Sequence, residues 1–79
     1  GVVVSSLWLT QIDPIYRTRR TVELQFYVVA SRLEKDGRYE VTNRQQSRIL
    51  KIRKRNNEIR LDGTPILRED LLIKIKELQ

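Results

Sequence analysis

Apolar and polar positions alternate along most of this chain, and the period changes only near its end. Val2, Val3, Val4, Leu7, Trp8, Leu9 and Ile12 make a β-prone opening. It closes at Asp13-Pro14, because a residue before proline avoids the helical region. From Thr21 to Leu33, Val22, Leu24, Phe26, Val28 and Ala30 share one face of a period-two pattern, while Tyr27, Val29 and Leu33 share the other. A strand apolar on both faces predicts either a central position covered on both sides or a face kept for a partner. Lys35-Asp36-Gly37 then supplies a turn in which Gly37 can take positive φ. The chain is expected to return through Arg38-Tyr39-Glu40-Val41 as a hairpin.

The next segment admits two periods. As a hairpin turning at Asn56-Asn57, it pairs Arg55 with Glu58, Arg53 with Arg60, Ile52 with Leu61 and Lys51 with Asp62. Leu50, Ile52, Ile59 and Leu61 then face inward, and Lys51, Arg53, Arg55 and Arg60 face outward. Lys54 falls among the inward positions and has to reach past the hairpin end with its ammonium group. The competing reading is a helix over 45–55 with Asn56 as its stop. The hairpin is preferred because Glu58-Ile59-Arg60-Leu61 needs a strand neighbour and Asn-Asn stands where a turn is required.

A helical period appears last. Leu67, Leu71, Leu72, Ile75 and Leu78 follow i, i+4, i+5, i+8, i+11 and make one apolar stripe over a helix expected at 65–78. Thr64 is the expected N-cap, with Pro65 at the first helical position. Glu69 and Asp70 come early and Lys74 and Lys76 late, which suits the helix dipole. Ile66 and Ile73 lie off the stripe near the surface, where peripheral packing is the preferred reading and a dimer or partner contact the alternative. The fold class predicted is α+β: a small antiparallel sheet of four to five strands, a meander or partly open barrel, with one C-terminal amphipathic helix packed across it.

Length allows one domain, 1–79, with a core near the lower limit for independent folding. The chain opens on Gly1 and contains no methionine, so the expectation is a processed chain or, by preference, a segment excised from a longer protein. Without cysteine there is neither a disulfide nor a thiolate metal site. No apolar run approaches the roughly 18 residues of a membrane span. The compartment is left open, with an intracellular setting as the expectation.

Charge sharpens the picture. The run from Arg44 to Arg60 holds seven cations against one acid, Glu58, and Arg17, Arg19 and Arg20 add a second basic cluster. The formal net charge is +6. An inert surface would dilute such repulsion with acids, so a polyanionic or acidic partner is implied. Arginine outnumbers lysine eleven to five, which favours bidentate contacts to phosphate or carboxylate. Trp8, Tyr16, Tyr27 and Tyr39 are candidates for stacking on bases, set against ordinary core or rim packing.

Catalytic chemistry has little to work with. The chain has no histidine and no cysteine, its serines lack a base, and neither Glu69-Asp70 nor Glu34 with Asp36 is placed as an acid/base pair. No glycine-rich phosphate loop is present. Two expectations remain. One is a non-enzymatic nucleic-acid-binding module, for DNA or RNA, using Lys51, Arg53, Arg55 and Arg60 with Arg17, Arg19 and Arg20, without cofactor or metal. The other is a protein-interaction or assembly module, which binds an acidic partner or pairs through Val2 to Leu9 or the strand from Val22 to Leu33, with homo-oligomers included.

Overall fold

Residues 7–43, 45 and 47–79 are described in the computed structural model of the chain. Alternation at Leu7 and Leu9 builds β1 (Leu7–Ile12), which turns back through residues 13–18 into β2 (Arg19–Leu24). Beyond Gln25 the chain becomes helical as α1 (Phe26–Arg32) and re-enters the sheet as β3 (Gly37–Thr42). A meander follows: β4 (Ile49–Arg55), β5 (Glu58–Leu61) and the two-residue β6 (Thr64–Pro65), before α2 (Arg68–Lys76). All neighbouring strands are antiparallel, and the open sheet has the order β2-β1-β3-β4-β5-β6. The α+β class and the C-terminal helix are as expected. The sheet has one strand more than the upper expectation, and there is a second helix.

That second helix corrects the reading of Thr21 to Leu33 as one strand. Only 19–24 is extended. Phe26, Val29, Ala30 and Leu33 stand at i, i+3, i+4 and i+7, so a helix gathers them on one side, with Val29 and Leu33 buried and Tyr27 exposed. Topology decides between the two periods. β1 lies between β2 and β3, which therefore run parallel to each other, and parallel strands require a crossover long enough to span the sheet. The expected hairpin between this segment and Arg38–Val41 is absent as well, because β3 pairs with β1 and β4. Val2, Val3 and Val4 lie outside the described residues.

The β4–β5 hairpin has the expected register: Ile52 opposite Leu61, Arg53 opposite Arg60 and Arg55 opposite Glu58. The Asp62 amide donates to the Lys51 carbonyl at 2.8 Å. Asn56 takes φ 56°, the left-handed conformation that asparagine tolerates. Residues 49–55 are strand, not helix.

The start of the C-terminal helix differs from expectation. Asp62 (φ 51°) and Gly63 (φ 84°) form a second two-residue turn, which folds Thr64 and Pro65 back onto Leu61 and Arg60. The Ile66 amide extends the ladder by donating to the Ile59 carbonyl at 3.0 Å. Thr64 is therefore no cap and Pro65 no first helical residue. Leu67 holds the N-cap position without a side-chain cap bond, and it is 68% exposed instead of joining the stripe. Replacing Gly63 with Ala should cost about 1 kcal/mol from backbone conformation alone, because an added Cβ would meet nothing within 4 Å. Urea unfolding of the variant checks this, and a Gly63→Ala protein as stable as the parent would contradict it.

Both helices cover the same face of the sheet. Val29 and Leu33 from α1 and its C-terminus, and Leu71, Ile75 and Leu78 from α2 and its C-terminus, join Leu7, Leu9, Tyr39, Val41, Leu50, Ile52 and Ile59 in one buried cluster. Ile66 packs against it, while Ile73 is 58% exposed. Polar ties fix the helices. Arg68 donates to the Ala30 carbonyl and the Glu34 carboxylate, each at 3.2 Å. The buried Asn43 side chain donates to the Leu78 carbonyl and accepts from the Gln45 amide at 2.9 Å. The other face of the sheet carries neither helix.

Candidate nucleic-acid interface

Alternation sends every second residue of the strands to the helix-free face, and cross-strand register decides which of them meet. Ile12 stands opposite Arg19 on β2 and opposite Arg38 on β3. Arg38 stands opposite Arg53 on β4, and Arg53 opposite Arg60 on β5. One row across five strands thus reads Arg19, Ile12, Arg38, Arg53, Arg60. Directly opposed residues have Cα atoms about 5 Å apart. A second line runs along β4 through Lys51, Arg53 and Arg55 with a spacing of about 7 Å. The two lines cross at Arg53.

Acids neutralise the margins of this face more than its centre. Glu40 forms an ion pair with Arg19, and Glu58 with Arg60. Arg60 also donates to the Gly63 carbonyl at 3.1 Å. Glu40 stands opposite Lys51 and Glu58 opposite Arg55 in register. Among the described residues, no carboxylate oxygen comes within 4.0 Å of the charged nitrogens of Arg38, Lys51, Arg53 or Arg55. Two like-charged pairs, Arg38 with Arg53 and Arg53 with Arg60, are therefore held side by side, an arrangement that destabilises a sheet by roughly 0.2–1 kcal/mol per pair.

Five of the seven expected site residues lie on this face: Lys51, Arg53, Arg55, Arg60 and Arg19. Arg17 sits in the β1–β2 loop at φ 56° and lines a surface depression with Arg19, Arg38, Arg53 and Arg55. Arg20 does not join them. It stands opposite Gln11, on the alternate positions that face the helices, and is exposed near the end of the edge strand. Arg38, absent from the expected set, belongs at the centre. Its outward position follows from alternation with the buried Tyr39 and Val41, but its neighbours depend on the β3–β4 pairing. Lys54 faces inward as expected and reaches the connection between α1 and β3. Its ammonium donates to the Glu34 carbonyl and lies 3.6 Å from an Asp36 carboxylate oxygen.

The four aromatic candidates separate. Tyr39 is core: its hydroxyl donates to the Lys35 carbonyl at 2.6 Å. Burial holds its pKa above the ordinary tyrosine value, with the Asp36 charge adding to the rise and a hydrogen bond with Gln11 opposing it. Trp8 is half-buried on the helix-free face, two rows from the arginines, with the Thr10 row between. Tyr27 is exposed on α1, on the opposite side of the sheet. Tyr16 is exposed in the loop that also carries Arg17. Among the described residues no three His, Cys, Asp or Glu side chains gather as a metal site, and no helix is long and apolar enough to cross a membrane.

This is a small α+β protein with an arginine-rich open sheet face. Comparison with known proteins adds no identity: no family model, no curated protein and no solved structure matches the chain.

Proposed function

We propose that the chain is a non-enzymatic nucleic-acid-binding module whose helix-free sheet face takes up phosphates. The observation that carries this reading is the cross-strand sequence Arg38, Arg53, Arg60, in which no carboxylate among the described residues pairs with Arg38 or Arg53. A folded domain with a small core tolerates opposed like charges at a stability cost, and a ligand that neutralises them offsets that cost. Guanidinium groups favour phosphate because they present paired donors to paired oxygens. Phosphate contacts position a strand without reading its sequence, so the module is expected to bind either DNA or RNA with little base preference from this row.

The test is retention of the protein on single-stranded and double-stranded nucleic acid as salt is raised. Each phosphate neutralised should contribute about 0.7–0.9 to the slope of log affinity against log salt. Absence of binding to any nucleic acid at low salt would end the proposal in favour of an acidic protein partner. For pairing through a strand, β2 is the six-residue edge among the described residues, since 7–12 is flanked on both sides and 26–32 is helical.

A further inference from the structure

The loop joining β1 to β2 presents two large apolar side chains to solvent, Ile15 at 80% and Tyr16 at 78% exposure. A loosely held loop does not explain their exposure, because the loop is tightly bonded. The Asp13 carboxylate accepts from the amides of Ile15 and Tyr16 at 2.8 and 2.7 Å. The Asp13 amide donates to the Thr18 carbonyl, and the Arg17 amide to the Asp13 carbonyl, each at 2.9 Å. The same loop contributes Asp13, Pro14 and Arg17 to the depression lined by Arg19, Arg38, Arg53 and Arg55. An exposed aromatic side chain is thus carried on a braced loop whose Asp13, Pro14 and Arg17 line the basic depression, and it is next in sequence to that Arg17.

We infer that Tyr16 stacks on a base of single-stranded nucleic acid whose phosphates occupy that depression. The inference rests on the proposed phosphate-binding function of the sheet face. Its occupant follows from charge complementarity: the cations beside Tyr16 call for an anion, and a single strand offers phosphates and exposed apolar ring faces together. A duplex keeps its bases stacked on one another and gives the ring no free face. A bracing network that holds Tyr16 outward before binding reduces the ordering cost of such a contact. Ile15, beside it, widens the apolar platform.

The experiment compares Tyr16→Ala, Tyr16→Phe and the parent protein on two fluorescent probes of equal length. One is an oligothymidylate of about 12 nucleotides, within the usual site size for small sheet-based binders, and the other is its abasic analogue with the same phosphates and no bases. Tyr16→Ala should weaken binding to the oligothymidylate about 5- to 100-fold, as expected for loss of one stacked base. It should leave binding to the abasic probe and the salt slope on both probes unchanged. Tyr16→Phe should retain parental affinity, since the ring face and not the hydroxyl makes the contact. A parent that binds the two probes equally, or a Tyr16→Ala protein with parental affinity for the oligothymidylate, would overturn the stacking role while phosphate binding stands. A parent that binds neither probe, including one that binds only anionic lipid vesicles, would overturn both.

Discussion

Ile75→Ala will lower the free energy of unfolding by about 2–5 kcal/mol, as measured by urea or thermal denaturation. Ile75 is completely buried on α2 and belongs to the single cluster that joins both helices to the sheet. Truncation removes the transfer energy of three carbons and leaves a cavity in a core to which the described residues contribute twelve buried apolar side chains. Total stabilities of small domains are about 5–15 kcal/mol, so the variant should be partly unfolded under mild conditions. Ile73→Ala provides the control. It is the same substitution on the same helix, two residues away, at a position 58% exposed, and it should change stability by no more than about 0.5 kcal/mol. Equal effects at the two positions would mean that α2 does not pack by the face described.

Replacing Lys51, Arg53 and Arg55 together with Gln should abolish most non-specific nucleic-acid binding while the fold persists. These side chains alternate on β4 with a repeat of about 7 Å, near the phosphate spacing of an extended single strand, so all three can contact one backbone. The slope of log affinity against log salt should fall by about 2 to 3 units. Removing Arg53 also relieves its repulsion with Arg38 and Arg60. The triple variant should therefore unfold at higher urea than the parent at low salt, and this gain should shrink as salt is added. An unchanged salt slope in a folded triple variant would show that binding, if present, uses another surface.

Legibility of this fold in its sequence tracked how local the deciding interaction was. The β4–β5 hairpin could be read to the residue, because Leu50 and Ile52 on one side, Ile59 and Leu61 on the other, and Asn56-Asn57 between them satisfy one register within a short span. Residues 22–33 fit two periods at once. Helix and strand both gather apolar groups there, and the choice depends on β1 standing between β2 and β3, a pairing between distant residues. Asp62-Gly63 carried a sound local turn signal, but Thr64-Pro65 was an equally good helix start, and the sheet prevailed because β5 offered Thr64 and Pro65 a ladder. The same distinction applies to the candidate site. Outward positions on β4 and β5 followed from alternation, whereas Arg38 joined them only through the β3–β4 register, and Arg20 left them through the β1–β2 register.

Pro65 has a consequence for how copies of this domain can associate. It sits on β6, at one margin of the sheet, where it has no amide hydrogen to offer and where the strand is only two residues long. That margin is a poor template for further pairing, while β2 at the opposite margin spans six residues. With β2 as the one long edge among the described residues, a molecule can join one other through it, edge to edge about a two-fold axis, and both of those edges are then consumed. Strand addition through β2 would therefore end at a pair, because among the described residues the β6 margin offers no comparable second edge from which head-to-tail growth could continue.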